Sequence, residues 1–302
     1  MEGNKPLIKR VILSLLRVFL RFKILNRPLQ KLARAGILPA GIWKRLPVET
    51  TFCIKTPDGR KFNYVLTYGD FIGNKFFWLG DQGFEYETLS VFYKLAKKAN
   101  YVVDVGSNTG IYMLYAATAN ANGKVLVFEP VEQIYAILCA NIEANGYGNR
   151  CTALKQAVSD YTGVTSFHVP KVLMPSSASL NTDGFRDSEG DIVEIPVTTV
   201  DDMVKEDERI NLIKIDVEGF EDKVLAGMTK VLASSHPRIV IECLEDGPIA
   251  EIERILKEND YNFYIIKESG LEPMTSIIPD PQEKYRNFLC VHSEDTAVTA
   301  EL

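Results

Sequence analysis

Three residues of one short segment, Asp104, Gly106 and Gly110, have the types and spacing of a ligand-binding turn. The apolar residues 101–103 precede this segment, and an apolar helical pattern over residues 111–118 follows it. A strand, a glycine turn and a helix in this order direct the free N–H groups of the helix start toward the turn. Glycine also permits an unusual φ or a close approach to the backbone. The segment is therefore predicted to cradle a small molecule.

The glycine spacing excludes two common phosphate-binding loops. The dinucleotide fingerprint requires a glycine two residues after Gly106, where Asn108 stands, and no Gly-Lys-Ser/Thr follows as a P-loop would require. Asp104 at the end of the strand would also repel a pyrophosphate. The turn instead favours a neutral or cationic group, such as the amino end of a cofactor that carries an amino acid.

A second acidic residue follows the next apolar strand, residues 124–128, which ends in Glu129-Pro130. An acid about 20 positions past a glycine turn can accept hydrogen bonds from both ribose hydroxyls. Pro130 ends the strand and can open a helix over residues 131–145. The ordered set of Asp104, Gly106, Gly110 and Glu129 resembles the S-adenosylmethionine site of class I methyltransferases.

Later segments narrow this resemblance. Residues 212–221 read Leu-Ile-Lys-Ile-Asp-Val-Glu-Gly-Phe-Glu, residues 237–242 read Pro-Arg-Ile-Val-Ile-Glu, and Phe84-Glu85 precede the first strand. With the turn, these segments resemble the FkbM family of methyltransferases, from Gly83 to Val291. The resemblance implies S-adenosyl-L-methionine as cofactor. It also implies that Asn108, Pro130 and Asp216 contribute to the cofactor site, and that Ala157 and Val158 flank the adenine.

The fold implied is a Rossmann-like α/β domain with a seven-stranded, mostly parallel sheet and helices on both faces. Beyond the two strands already described, apolar patterns predict strands at residues 152–158, 211–215, 238–241, 261–266 and 287–291, and a helix at 218–232. Residues 165–169 and 192–197 alternate like strands and flank a polar loop, residues 175–190. Such a long loop could close over a substrate or be a disordered insertion.

Three carboxylates are candidates for catalysis: Asp216, Glu218 and Glu242. Ligands bind beyond the carboxyl ends of parallel strands, where all three should lie. Methyl transfer to a hydroxyl requires alignment, exclusion of water and removal of a proton. Crowded carboxylates raise one another's pKa, which could make one of them a competent base. The same residues could hold a divalent ion, but nothing in the sequence fixes a coordination geometry, so no metal is predicted.

Other polar residues near the predicted strand ends are better explained by structure. Lys214 lies inside the fourth strand and is expected to be a structural partner. His168 is the only plausible histidine base, although a structural role is the stronger expectation. His236, which precedes the fifth strand, and His292, which follows the last one, are expected on the far face.

Charge is distributed unevenly along the 302 residues. Residues 1–45 contain eleven Lys and Arg and one acid, Glu2, whereas the whole chain has a net charge of −6. The five cysteines are scattered singly, which is typical of a reducing compartment and predicts neither disulfides nor zinc. Without a clean secretory signal near the start, a cytoplasmic location is expected. The acidic remainder of the chain argues against nucleic acid as a partner.

The basic first segment has the pattern of an amphipathic helix, with Ile8, Ile12, Leu15, Phe19 and Phe22 on one face. Arg27-Pro28 is predicted to break this helix, and Pro28 to start a second one that ends near Gly36. The stripe, within residues 1–35, suits the surface of an anionic membrane, on the cytoplasmic face. It equally suits packing against the catalytic domain or a second subunit. It is too short and too charged to span a bilayer.

Residues 48–80 are predicted to form a small β element. Two alternating segments flank Pro57-Asp58-Gly59 as in a hairpin, and residues 76–79 are predicted as a further strand. This element could cap an edge of the main sheet, or it could present Phe76, Phe77 and Trp78 to a substrate. The domain organisation expected is an arm (residues 1–45), the β element (46–82), the methyltransferase domain (83–292) and a loose tail (293–302).

The expected function is O-methylation of a hydroxyl on a sugar, glycan, glycolipid or related natural product. One alternative is a non-catalytic adaptor with the same fold, which the intact set of Asp104, Gly106, Gly110 and Glu129 disfavours. A second alternative is methylation of protein or nucleic acid. The Asn/Asp-Pro-Pro-Tyr/Phe motif used for planar amines is absent at residues 216–219, which disfavours nitrogen of that kind.

Overall fold

The computed structural model describes residues 23–44, 46–170, 190–280, 282 and 284–296, and it divides the chain into two compact units after Tyr86. The described elements of the first unit are three helices, α1 (Lys23–Arg34), α2 (Ala40–Trp43) and α3 (Phe71–Leu79), and two strands, β1 (Thr50–Lys55) and β2 (Lys61–Leu66). The two strands pair antiparallel, from Thr50 opposite Leu66 to Lys55 opposite Lys61. This confirms the predicted hairpin.

The aromatic run at residues 76–79 belongs to helix α3, so its prediction as a strand is wrong. Asp70 caps the helix, because its Oδ1 accepts a hydrogen bond from the N–H of Gly73 at 2.9 Å. Phe76, Phe77 and Trp78 are all buried, which also contradicts their presentation to a substrate. The cap and the burial of these rings outweigh the β propensity of aromatic residues.

Helix α1 continues through Pro28, which contradicts the predicted break. A proline inside a helix removes one N–H hydrogen bond and crowds the carbonyl four residues earlier, and helix α1 persists at that cost. Asn26 and Ala33 are buried, and the Nε of Arg34 donates to the backbone oxygen of Trp78 in α3 at 3.3 Å. The described part of the arm thus packs on the first unit itself. The stripe from Ile8 to Phe22 lies outside the described residues.

Within the described residues, every helix is too short or too polar to cross a bilayer.

The second unit contains a large sheet and a small one. Its described strands are β3 (Tyr101–Val105), β4 (Lys124–Phe128), β5 (Cys151–Leu154), β6 (Ala157–Val158), β7 (Gly163–Pro170), β8 (Gly190–Thr198), β9 (Leu212–Ile215), β10 (Arg238–Glu242), β11 (Tyr261–Lys267), β12 (Gly270–Met274) and β13 (Asn287–His292).

The large sheet has the order β12-β11-β13-β10-β9-β3-β4-β5. Strands β5, β4, β3, β9 and β10 pair parallel, while β13 is antiparallel to both β10 and β11. The predicted Rossmann-like α/β fold is confirmed. Within the described residues the sheet has eight strands instead of seven, because β12 forms a hairpin with β11 at the edge. The strand order reverses between β3 and β9, which is where such sheets bind ligands.

The described helices of this unit are α4 (Tyr86–Ala96), α5 (Ile111–Ala119), α6 (Glu132–Ala144), α7 (Val200–Met203), α8 (Glu221–Ala226), α9 (Thr229–Ser235) and α10 (Ile249–Glu258). Side chains of α8, α9 and α10 pack with Val103 and Val105 of β3. Successive residues of a strand face opposite sides, so Asp104 faces the other side. There the Nζ of Lys214 lies 5.0 Å from the ring of Tyr112 in α5.

The helix predicted over residues 218–232 is two helices, α8 and α9, with Gly227 between them. A Cβ on Gly227 would stand 2.0 Å from the backbone oxygen of Ser159. The helix is interrupted where this second segment of backbone approaches it.

The strand predicted at residues 152–158 is also divided. Residues of β5 pair with β4, whereas β6 pairs with β8 in the small sheet of order β6-β8-β7. The two alternating segments predicted as strands pair antiparallel as β7 and β8, from Gly163 opposite Val197 to Pro170 opposite Gly190. Of the predicted loop 175–190, only Gly190 lies within the described residues.

Candidate active site

The glycine turn after β3 is held by hydrogen bonds to the neighbouring strand. The N–H groups of Gly106 and Ser107 both donate to the backbone oxygen of Phe128, at 3.1 and 2.9 Å. Gly106 and Gly110 have φ angles of 77° and 87°, in the left-handed region that favours glycine. The turn therefore has the unusual backbone that the sequence predicted.

Asp104 is 1 % exposed, and in the described structure neither of its carboxylate oxygens accepts a hydrogen bond. Burial raises its pKa to about 7, against the opposing charge of Lys214. A buried carboxylate without hydrogen bonds is rare in a folded protein, and a ligand can supply the missing donors. It lies on β3 beside β9, at the switch point of the sheet, where folds of this kind bind ligands.

Glu129 connects the two loops that follow β3 and β4. Its Oε2 accepts a hydrogen bond from the N–H of Asn108 at 3.0 Å, and its Oε1 accepts one from the N–H of Val131 at 2.9 Å. Burial raises the pKa of this carboxyl group to about 7. Each carboxylate oxygen can accept more than one hydrogen bond, so Glu129 retains capacity for two ligand hydroxyls.

Residues expected at the adenine lie beside this loop. Ala157 is buried and belongs to one apolar cluster with Val131, the residue after Pro130. Val158 is buried in the main core under the sheet. The structure thus brings Ala157 to the loop that carries Glu129 and Pro130.

The three candidate catalytic carboxylates lie where β9 and β10 end. Asp216 follows β9, and its Oδ2 lies 3.5 Å from the Nζ of Lys214. Glu242 is the last residue of β10, and its Oε1 lies 3.2 Å from the Nε of Arg286. Burial opposes ionisation of Asp216, but Lys214, a hydrogen bond with Glu242 and the charge of Arg286 together hold its pKa below the usual value.

Glu218 differs from Asp216 in its electrostatics. Glu218 is an exposed residue in the loop after β9, and its φ of 54° is unusual for a residue other than glycine. Such strained backbone is concentrated at functional sites. Loss of hydration raises the pKa of its carboxyl group to about 7, with contributions from the negative charges of Asp216 and Glu221. A pKa near neutrality suits a general base.

The three histidines lie away from the candidate catalytic carboxylates. His168 is buried in β7, and a Cβ on Gly190 of the paired strand would stand 2.1 Å from its Nε2, so the ring packs within the small sheet. His236 and His292 stack with ring centroids 3.7 Å apart. His236 precedes β10 and His292 ends the antiparallel β13. Both therefore lie at the opposite ends of these strands from the carboxylates.

Sequence reasoning missed Arg286 and Asn287. Asn287 stands opposite Glu242 in the antiparallel pairing of β13 with β10, and its Oδ1 lies 3.2 Å from the Nζ of Lys214. Because the last strand is antiparallel, it starts at the end of the sheet where the parallel strands finish. The polar pair Arg286-Asn287 at its start could therefore have indicated that both residues lie near the carboxylates.

The sequence profile of the methyltransferase FkbM domain matches residues 104–263, from Asp104 on β3 into β11. The chain belongs to the FkbM methyltransferase family. The matched range includes the glycine turn, Glu129 and all three candidate catalytic carboxylates.

Two relatives and one solved structure are similar to this chain. The 31-O-demethyl-FK506 methyltransferase FkbM of Streptomyces tacrolimicus is 28% identical over 200 residues, covering 57% of this chain and 75% of that protein. The hexuronic acid methyltransferase AglP of Haloferax volcanii is 24% identical over 191 residues, covering 59% and 75%. The solved methyltransferase FkbM of Methylobacillus flagellatus KT is 18% identical with a TM-score of 0.44, covering 64% of this chain and 44% of that chain. This chain thus spans less than half of that structure.

The chain is a methyltransferase, and its cofactor is S-adenosyl-L-methionine, as the sequence predicted. The residues present suit this cofactor. Asp104 offers two buried oxygens without donors, which match an amino group, and Glu129 offers acceptor capacity for ribose hydroxyls.

Proposed function

We propose that this methyltransferase methylates a hydroxyl oxygen of a sugar, glycan, glycolipid or related natural product. The observation that carries the proposal is the pair of carboxylates beyond β9: Asp216, with a lowered pKa, and Glu218, with a pKa of about 7. One acid is thereby kept ionised while the other can exchange a proton near neutral pH. Proton removal is needed by a hydroxyl acceptor.

The names of two relatives support the same class of acceptor. One is named for 31-O-demethyl-FK506 and the other for hexuronic acid. The first name specifies an oxygen, and the second a sugar acid.

In the proposed mechanism, S-adenosylmethionine supplies a methyl group that its sulfonium has already activated. Glu218 would accept the proton that the acceptor hydroxyl loses when it receives the methyl group. Asp216 stays ionised beside Lys214 and can orient the hydroxyl by accepting a hydrogen bond. Arg286 forms an ion pair with Glu242, which shares a hydrogen bond with Asp216. A positioned base of this kind contributes about 10²–10⁴-fold to the rate.

The cofactor-binding role in this proposal falls to Asp104, Gly106, Asn108, Gly110, Glu129, Pro130, Ala157, Val158 and Asp216.

The bond that is formed tests the proposal. The purified chain is incubated with S-adenosylmethionine labelled with ¹³C in its methyl group and with glycan and lipid extracts, and products are characterised by NMR and mass spectrometry. A label on oxygen is expected. A label found only on nitrogen or carbon would overturn the proposal.

We also propose that the arm, residues 1–35, docks on the cytoplasmic face of an anionic membrane, where a glycolipid acceptor would be presented. Exposed apolar side chains of the first unit support this proposal: Leu32 (39%), Ile37 (68%), Ile42 (51%) and Phe71 (47%). The backbone oxygen of Leu32 accepts a hydrogen bond from Ile37 at 2.9 Å, so two of the four are adjacent.

Lysines accompany this apolar patch. The Nζ atoms of Lys75 and Lys44 lie 4.3 and 5.8 Å from the centre of the Phe71 ring. Apolar and aromatic groups beside lysine suit the interface of an anionic bilayer, where burial of the rings and attraction of the charges act together. The eleven basic residues among the first 45 add to that attraction.

A further inference from the structure

Lys214 occupies an unusual position for a lysine. It lies inside β9 between the buried residues Ile213 and Ile215, and it is itself 1 % exposed. A buried ammonium ion costs several kcal/mol unless charges and hydrogen bonds compensate it. Its neighbours must therefore supply that compensation.

Its contacts come from three parts of the second unit. The Nζ of Lys214 lies 3.2 Å from the Oδ1 of Asn287, 3.3 Å from the backbone oxygen of Ile215 and 3.5 Å from the Oδ2 of Asp216. On α5, Tyr112 presents its ring at 5.0 Å, within the range of a cation–π interaction. The ammonium group is thus fixed on several sides.

Asp104 is opposite Lys214 in the register of β3 and β9, so both side chains face the same side of the sheet. The positive charge of Lys214 consequently acts on two carboxylates, Asp104 and Asp216. Asp104 is buried without hydrogen bonds, and the side chain of Asp216 is 28% exposed at the strand end.

We propose that Lys214 is a positioning residue that sets the ionisation of Asp104 and Asp216, and thereby controls the affinity for S-adenosylmethionine. This inference rests on the proposed role of Asp104 in receiving the amino group of the cofactor. It does not depend on the acceptor or on methylation of oxygen.

The electrostatics give the direction of the effect. Asp104 has a pKa of about 7, which burial raises, Lys214 lowers and Asp216 raises. Loss of the lysine charge should therefore keep Asp104 neutral at higher pH. Loss of the Asp216 charge should do the opposite. Among the described residues, the titratable groups that interact electrostatically with these three are Glu129, Glu218, Glu221, Glu242, Cys243 and Arg286.

Binding measured against pH tests the proposal on the full chain. Isothermal titration with S-adenosylhomocysteine, which retains the amino-acid end and cannot transfer a methyl group, is performed between pH 6 and 9. For wild type, we expect affinity to weaken as Asp104 is protonated, approaching tenfold per pH unit well below a midpoint near 7.

Two substitutions should move this midpoint in opposite directions. Lys214→Met should raise it by about one pH unit or more, and Asp216→Asn should lower it. Lys230→Met, at an exposed lysine on α9, is the matched control and should leave it unchanged. Titration of the ligand itself is common to all four proteins and cancels from the comparison.

An identical midpoint in all four proteins would overturn the proposal, as would wild-type affinity that is constant from pH 6 to 9. If Lys214→Met does not fold, Lys214→Gln takes its place, because glutamine keeps a long polar side chain without the charge and should raise the midpoint in the same direction. Failure of the proposed O-methylation would leave the midpoints unaffected, so the two proposals fail separately.

Discussion

The backbone oxygen of Asp216 lies 1.7 Å from the point where a Cβ atom on Gly106 would stand. The cradle after β3 and the loop after β9 are therefore in direct backbone contact, and no side chain can separate them. The requirement for glycine at this position arises from the protein's own packing, independently of any ligand.

Gly106→Ala should destabilise the protein by about 2–4 kcal/mol, since it combines a strained φ with a clash against backbone. It should also abolish binding of the cofactor, because relief of the clash displaces both loops. Thermal unfolding and isothermal titration would measure these effects. Gly148→Ala is the matched control, because nothing lies within 4 Å of its new Cβ, and it should alter stability by less than about 0.5 kcal/mol.

Glu129→Ala should weaken binding of S-adenosylmethionine by about 10- to 100-fold. The substitution removes acceptors for the ribose hydroxyls and leaves the N–H groups of Asn108 and Val131 without their partner. Affinity by isothermal titration is the measurement. Glu132→Ala, at an exposed acid paired with Lys155, should stay within a factor of two of wild type. An affinity for the Glu129 variant inside that same range would disprove the ribose assignment.

Glu218→Gln should lower the rate of methyl transfer by about 10²–10⁴-fold while leaving cofactor affinity nearly unchanged. Its carboxyl group has a pKa of about 7, so the wild-type rate should rise with pH through that value and then level off. Single-turnover rates across this pH range provide the test. Glu258→Gln, at an exposed acid of α10, should match wild type. A pH profile of the Glu218 variant that still rises near 7 would assign the base elsewhere.

The cofactor-free protein should become more stable as the pH falls from 8 to 5. Asp104 and Glu129 have folded-state pKa values of about 7 against ordinary values of 3.8 and 4.5, so the folded state binds their protons more tightly. Their contribution is complete below the ordinary values and is lost as the pH rises through 7, by about 1.4 kcal/mol per pH unit for each group. Melting temperatures of wild type and Asp104→Asn are compared across this range. The variant should show the shallower dependence, and equal slopes would contradict the assignment.

Replacement of Ile37, Ile42 and Phe71 by serine should reduce binding to vesicles that contain phosphatidylserine, because it removes exposed apolar surface beside Lys44 and Lys75. Co-sedimentation with vesicles measures the effect, and neutral vesicles serve as the reference. Serine at the exposed Val164 and Ile192 of the small sheet is the matched control. Equal loss in both variants, or equal binding to neutral vesicles, would exclude the proposed surface.

The sequence alone predicted the order of strand, glycine turn and helix because these signals are local. A strand, a glycine turn and a helix occupy adjacent residues from Tyr101 to Ala119, and the second strand ends at Glu129 as predicted. The clustering of the carboxylates at the ends of β9 and β10 was predicted from the rule that the carboxyl ends of parallel strands lie on the same side of a sheet.

The errors in the sequence prediction arise from contacts between distant segments. The interruption at Gly227 depends on the backbone of Ser159, and the exit of β6 from the large sheet depends on its pairing with β8. Neither partner is visible in the local pattern. The helix over residues 71–79 is different, since Asp70 and Gly80 flank it as caps and the aromatic run obscured that signal.

The electrostatic state of the site was beyond prediction for the same reason. Lys214 could be recognised as buried, but its register opposite Asp104 and its contact with Asn287 depend on the order of strands in the sheet. The lowered pKa of Asp216 and the pKa of about 7 of Glu218 likewise depend on burial and on charges that distant segments bring together.

The double hydrogen bond of Glu129 closes a ring through the loops after β3 and β4 before any ligand arrives. The cofactor then meets backbone that is already ordered, so its binding should sacrifice little chain entropy. Calorimetry should accordingly show that the Glu129 variant loses affinity partly through a more unfavourable binding entropy. The Glu129 carboxylate would then join the two loops in the cofactor-free protein and also bind the ribose in the complex.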